Sequence, residues 1–398
     1  MDLIRVNANV DNATNLFTPY GALIEDYDSL VWTEKFQDHS EFVLTTKHVD
    51  DFLVQLPLES FVTLLQSQEV MKVESRLLER DAQGQEKLTI RGSSVTSILQ
   101  HRVIQLGSPS KTAKLDLSNA DQVLAFLVIY STIKSYVASG EFSGAFDPNA
   151  ISAGFVVTSN TALSATGAAH TYWIPAGVVD QPIRTYLEES GLGIAFRRPD
   201  GKSGYVLDAS PISSTLTPSI TQARLDLRRP NDLSDDSAPG SVIFDADSGH
   251  FVNISWLESV KNAKTIGYLN VPNTTNMTTS TFNPAFPSAS LRTKLGLLGY
   301  SHESSPPGDE AEGTAVEIEA ALAAQMTEKM ILDHPYKVIT GGEVSGSAPY
   351  RYLEHYELGD IVGVYSVRYG LQKMRVTEFI RSWEDGTEKA YPTLSQIY

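Results

Sequence analysis

Residues 71–92 read MKVESRLLERDAQGQEKLTIRG, two runs with β-branched and apolar residues on either side of DAQGQ. Gly84 supplies the permissive backbone that a tight reversal needs, so the segment is expected to fold back on itself as a β-hairpin. The same design stands upstream, where LIEDYDSLVWTEKF (Leu23 to Phe36) and EFVLTT (Glu41 to Thr46) bracket the polar QDHS. It returns near the other end as KVITGGEV, DIVGVYSV, KMRVTEFIRSW and EDGTEKAYPTL, which read as a small meander or barrel. The hairpin-plus-helix organisation thus recurs at both ends of the chain. The expected class is α+β, β-rich and multidomain, with a few helices.

Three helices and a shorter helical turn are expected between and beside these strands. Ser94 to Gln100 is the short one, running into the strand-like HRVIQL. Ser118 with Asp121 resembles a capping box, and Gly140 stops the helix it opens. That helix is apolar nearly all round, as a buried helix is. Pro182 to Gly191 has proline in its first turn and glycine at its end. Thr314 with Glu317 opens the third, to about Leu332, where Ile318, Leu322, Met326 and Met330 form one apolar stripe.

The remaining segments read as strand pairs and loops. GIAFRRPDGKSGYVLD (Gly193 to Asp208) is expected as a strand, a turn and a strand, and SVIFDADSGHFVNISWLE (Ser241 to Glu258) as a hairpin turning on DADSG. The stretch from Ser139 to about Thr171 reads as a connector, VPNTTNMTTSTFNPAFPSAS (Val271 to Ser290) as an exposed loop and SHESSPPGDEAEG (Ser301 to Gly313) as a linker. With 398 residues the chain exceeds one ordinary core. The expected division is a β-rich domain over 1–110, a helix and connector over 111–170, a middle α+β domain over 171–300, and a linker, helix and terminal β-domain over 301–398.

Composition narrows the function. There is no cysteine, which removes disulfides, thiolate metal sites and cysteine nucleophiles together. A formal net charge of −17 opposes a phosphate backbone, and the densest basic stretches, RRPDGK and RLDLRRP, are each broken by aspartate. Specific nucleic-acid binding is not expected. VLAFLVIY (Val123 to Tyr130) is too short to cross a bilayer, so stable membrane insertion is not expected either. The opening MDLIRVNANVDNATN lacks the basic start and apolar core of a secretory signal.

The motifs that suggest chemistry are incomplete. GKS (Gly201 to Ser203) invites a phosphate-loop reading, but Phe196 stands where that loop needs glycine, and a strand follows where it needs a helix. GLGIAF supplies two glycines of a dinucleotide fingerprint and lacks the third. In DADSG the calcium-loop positions that need an oxygen ligand, glycine and glutamate hold Gly249, His250 and Trp256, so a solvated turn is the better reading. DLSDDS (Asp232 to Ser237) reads as a polar loop. His39, His48, His101, His170, His250, His302, His334 and His355 form no zinc pair of the familiar helical spacing, and no G-x-S-x-G elbow is present. HYELGDIVGVY (His355 to Tyr365) pairs a histidine with Asp360, but Gly359 and Asp360 read better as a turn that starts a strand. No catalytic, cofactor-binding or metal-binding residue is therefore assigned, no cofactor is expected, and the protein is read as non-enzymatic.

Four stretches together point to a family. LVWTEKFQDHSEFVLT (Leu30 to Thr45), LTIRGSSVTSILQHRVI (Leu88 to Ile104), HYELGDIVGVYS (His355 to Ser366) and RVTEFIRSWEDGTEKAYPTL (Arg375 to Leu394) resemble, in this order, the tail-hub proteins of long-tailed actinobacterial phages, also called minor tail or baseplate hub proteins. The Thr314 to Leu332 helix leading into the last strands fits the same pattern, while Ser139 to Ser301 carries none of it. The resemblance implies a virion protein assembled in the host cytoplasm as a homotrimer, with two similar β-barrel domains per subunit that imitate six-fold symmetry. The β-rich regions 1–110 and 301–398 are then those barrel-like domains. It implies contacts with distal tail and tail-tube proteins, with tail-tip or fibre proteins and with a tape-measure protein. The implied role is a structural ring that adapts the tail tube to the tip and lets DNA pass. Some hub proteins continue into a cell-wall hydrolase; this chain is expected to lack one. The alternative is a tail protein that binds or degrades cell-wall carbohydrate, through loops near Trp173, Phe282 and Phe286.

Overall fold

The computed structural model describes residues 1–6, 19–101, 103–104, 112–117, 156–159, 170–175, 177–178, 180, 184, 187, 191–198, 224–228, 230–252, 256–258, 266–270, 278–282, 299–303, 337–339, 343–346, 348–384 and 386–397. The chain divides into two compact units, one of Met1–His250 with Val344–Ser395 and one of Phe251–Glu343 with Gln396–Tyr398.

An eleven-stranded sheet organises the larger unit. Its strands are β1 (Leu3–Val6), β2 (Pro19–Ile24), β3 (Ser29–Lys35), β4 (Glu41–Thr46), β5 (Phe61–Leu64), β6 (Met71–Arg80), β7 (Glu86–Ser94), β8 (Ile243–Asp245), β9 (Ile361–Ser366), β10 (Gly370–Glu384) and β11 (Thr387–Gln396). The order is β8-β9-β10-β3-β4-β7-β6-β5-β1-β2, with β11 also paired to β10. Both expected hairpins near the N-terminus form. β3 and β4 pair from Ser29↔Thr45 to Thr33↔Glu41, and β6 and β7 pair from Met71↔Ser94 to Arg80↔Glu86. In the second turn Gly84 has φ +82°, and the Asp81 carboxylate accepts the amides of Gln83 and Gln85 at 2.9 and 2.8 Å.

Strands from both ends of the chain share this sheet. β10 has 15 residues, a span of about 50 Å at the usual rise. Its first residues pair with β9, from Ser366↔Gly370 to Ile361↔Arg375, and its last pair with β3, from Lys35↔Glu378 to Ser29↔Glu384. The terminal strands expected to form a domain of their own are thus hydrogen-bonded to the N-terminal ones.

The core lies on one face of this sheet and follows its two-residue period. Leu30 and Trp32 of β3, Phe42 and Leu44 of β4, Leu88 and Ile90 of β7, and Val62 and Leu64 of β5 are buried together with Phe52 and Leu56. Phe52 comes from a short helix, α1 (Val49–Gln55), that covers this face. Trp32 and Phe42 stack with ring centroids 5.9 Å apart. Phe42 reaches that position because residue 92 is glycine: a Cβ there would lie 2.4 Å from its ring and 1.9 Å from the Lys72 carbonyl oxygen.

Elsewhere the expectations divide. Ser94 to Gln100 is realised as a 3-10 helix over Val95–His101, and Asp180, Arg184 and Leu187 are helical near the expected 182–191 helix. The helices over 118–140 and 314–332 and the GKS turn lie outside the described residues. The hairpin expected over 241–258 is corrected: β8 pairs in parallel with β9, Ile243↔Gly363 to Asp245↔Tyr365. The connector from Ser139 contains a strand, Val156–Ser159, parallel to Arg224–Arg228, which is in turn antiparallel to Gly193–Arg197. In the smaller unit, Ile266–Asn270 lies between Thr278–Phe282, taken from the expected loop, and Gly299–Glu303, which includes the start of the expected linker. Lys337–Ile339, expected in the terminal meander, pairs there with Trp256–Glu258. The missed strands are rich in threonine, serine or charge, so their composition imitates a loop although β-branched residues suit a pleated backbone.

Candidate functional site

The Gly359-Asp360 turn opens β9 and carries a carboxylate that accepts three hydrogen bonds. Gly359 has φ +88°, and a Cβ on it would lie 2.1 Å from the Phe36 ring, so neither the backbone angle nor the space admits a side chain. The turn drops Asp360 into the interior, 2% exposed. Its Oδ1 accepts Arg228 Nη2 at 2.7 Å and the Asn231 amide at 2.8 Å, and its Oδ2 accepts the Glu357 amide at 2.8 Å. Burial raises the Asp360 pKa above its ordinary value, while Arg228 and the two amides pull it back down. Arg228 also donates from Nη1 to the Leu358 carbonyl at 2.6 Å and stands 3.1 Å from Glu357 Oε2. The Glu357 carboxylate lies 3.6 Å from Arg197 Nη2, an ion pair set by distance without an aligned hydrogen bond.

These charges continue into a small cavity of about 30 Å³, lined by Glu34, Phe36, Glu69, Arg197, Arg228 and Tyr352 among others. That volume suits a water molecule or two and is far below what a metabolite requires. Glu34 accepts from Trp32 Nε1 at 3.2 Å and from the Tyr352 hydroxyl at 2.8 Å. Glu69 is buried, and its Oε2 meets no donor. Burial, then the neighbouring Glu34 charge, pushes its pKa up to about 8, against the opposing pull of Ser40 and Arg197. Tyr352 is held well above its ordinary value, chiefly by burial and by Glu34.

His355 does not complete a dyad with Asp360: it is exposed, and its Nδ1 accepts the Arg351 amide at 2.9 Å. The turn reading of this segment therefore matches the geometry. DADSG is also a turn, in which Asp245 accepts the Asp247 amide and the Ser248 hydroxyl, and His250 Nδ1 accepts the Asp245 amide. DLSDDS closes as two local turns, with Asp232 and Asp235 capping Ser234 and Ser237. His39 was missed as part of a cluster: its ring lies 3.0 Å from the Thr96 hydroxyl and 2.9 Å from Asp180, which Arg184 also grips at 2.8 Å. No sequence signal joins these residues, because they come from a turn, a 3-10 helix and a helix far along the chain. Among the described residues no group of three or more His, Asp or Glu could hold a metal ion, and no helix is long and apolar enough to cross a membrane. Trp173 and Phe282 lie in the strands His170–Pro175 and Thr278–Phe282, and Phe286 lies outside the described residues.

The fold is that of phage tail proteins. It is similar to the 43 kDa tail protein of prophage MuSo2 from Shewanella oneidensis, with TM-score 0.57 and 11% identity over 100% of this chain and 98% of that one. The tail protein from Neisseria meningitidis MC58 matches with TM-score 0.51 and 11% identity over 99% and 96%, and prophage tail protein gp18 from Listeria monocytogenes EGD-e with 0.50 and 12% over 99% and 94%. No protein-family model matches the sequence, and no curated protein matches it. The likeness is one of architecture, nearly end to end.

Proposed function

We propose that the protein is a structural, non-enzymatic component of a phage tail tip, a hub that assembles as a homotrimeric ring between the tail tube and the tip. The observation that carries this reading is the shared fold with three phage tail proteins over nearly the whole of each chain. In the virion it contacts distal tail and tube proteins on one side and tip, fibre or tape-measure proteins on the other, and its lumen passes DNA. A net charge of −17 suits that lumen, since acidic walls do not retain a phosphate backbone.

The larger unit offers a surface for such assembly. β5 pairs with β6 only at Lys72 and Met71, so among the described residues the outer edge of β6 from Glu74 to Arg80 meets no strand. Leu77 and Leu78 on this arm are 52% and 50% exposed. Free edges and exposed leucines are costly in an isolated subunit, and a neighbouring copy covers both.

The experiment is light-scattering mass measurement across a concentration series, followed by electron microscopy of intact tails. A trimer, and density for it at the tail tip, is expected. A strict monomer that never joins the tail would remove the reading, and lysis of host cell walls in a zymogram would replace it with an enzymatic one.

A further inference from the structure

The cavity under Tyr352 holds a feature that the assembly role does not use. Glu69 sits where the strand Gly193–Arg197 meets the large sheet: its backbone bridges Arg197, and next to it Gln68 O accepts the Arg198 amide at 2.9 Å. Arg197 Nη1 reaches Gln68 Oε1 at 2.7 Å, and the Arg198 guanidinium donates to the carbonyls of Ser67 and Leu65 at 3.1 and 3.0 Å. Charged groups stand around the seam on several elements: β10 brings Arg381, which lies 5.9 Å from the Tyr352 ring centroid and donates to the Gln66 carbonyl, and Arg375, 5.7 Å from the Phe36 ring centroid. β3 brings Glu34 and Lys35; the strand pair brings Arg197, Arg198 and Arg228; the segment before β9 brings Tyr352, Glu357 and Asp360.

Most of these groups are already engaged. Lys35 Nζ lies 2.9 Å from Glu41, Arg228 is shared by Asp360 and Glu357, and Glu34 accepts from the Trp32 indole and the Tyr352 hydroxyl. Glu69 is left with an oxygen that no donor meets, against an acidic neighbour, in a space too small for a solvated ion. The two arginines on the same wall oppose a metal cation. A proton is the one charge that fits.

We propose that Glu69 is a buried protonation site: it stays a neutral carboxylic acid while the strand pair Gly193–Arg197 and Arg224–Arg228 is docked, and losing its proton loosens that seam. Two adjoining buried carboxylates then repel each other across the cavity wall that Arg197 completes.

The test combines infrared spectroscopy with hydrogen exchange on the full chain. At neutral pH the wild type should show the carbonyl stretch of a protonated carboxylic acid, titrating away near the Glu69 value of about 8. Glu69→Gln, which mimics the neutral form and keeps the shape, should abolish that band. Amides over 193–198 should lose protection between pH 6 and pH 9 in the wild type, beyond the intrinsic rise in exchange, and keep it in Glu69→Gln. A spectrum without the band at neutral pH, a band unchanged by Glu69→Gln, or equal protection in both proteins at pH 9 would overturn the proposal.

Discussion

Arg228 and Asp360 lie 132 positions apart and meet at 2.7 Å in the interior, Arg228 Nη2 donating to Asp360 Oδ1. The pair ties the strand Arg224–Arg228 to the turn that launches β9. Removing Asp360 leaves Arg228 beside Glu357 but takes the acceptor from the Asn231 and Glu357 amides, and an unsatisfied buried group costs about 1–3 kcal/mol. Asp360→Ala should therefore lower unfolding free energy by that order in urea titrations. Asp360→Asn, which keeps one acceptor oxygen, should cost less.

Gly359 and Gly370 form a matched pair for separating strain from crowding. Both have positive φ, +88° and +69°, but only Gly359 faces the Phe36 ring; a Cβ on Gly370 meets nothing within 4 Å. Gly370→Ala should cost about 1–2 kcal/mol from the backbone alone. Gly359→Ala should cost clearly more, measured by thermal or denaturant unfolding of both variants side by side.

Phe42 is 1% exposed and stacks on Trp32 over Gly92. Phe42→Ala should destabilise the larger unit by about 3–5 kcal/mol, with the midpoint of urea unfolding as readout. Truncation also opens space beside Trp32, so its fluorescence should shift.

His39 is enclosed by Thr96 and Asp180, and burial, then the Arg184 charge, lowers its pKa below the ordinary value of 6.5. A depressed folded pKa means that the unfolded chain takes up the proton first. The stability from neutral His39 is fully present above pH 6.5 and is lost as pH falls through the folded pKa. Unfolding titrations from pH 7 downward should show this loss, and His39→Gln should make the slope shallower.

Leu77 and Leu78 are half exposed on the β6-β7 arm. Leu77→Lys with Leu78→Glu should leave monomer stability within about 0.5 kcal/mol, as exposed substitutions generally do. Under the assembly reading, the same double variant should shift the mass distribution towards monomer.

What could be read in the sequence was what neighbouring residues decide. DAQGQ and QDHS lie between alternating runs, so turn chemistry and a two-residue period fixed the β3-β4 and β6-β7 hairpins without distant help. Gly359 and Asp360 announced a turn for the same local reason. Strands such as Thr278–Phe282 and Arg224–Arg228 stayed hidden because their residues carry the polarity of loops, and only a partner strand makes them β.

The sequence by itself determined that this protein is β-rich, that its hairpins turn where they do and that Asp360 shapes a backbone. Tertiary structure alone decided that β10 bridges β9 and β3, that β8 runs parallel to β9, and that Glu69, Glu34, Arg197 and Tyr352 face one cavity. Local preferences act over a few residues and are written in them. Pairing between distant strands, and the burial that changes what a carboxylate can be, depend on which surfaces exclude water together, and no short stretch of chain carries that information.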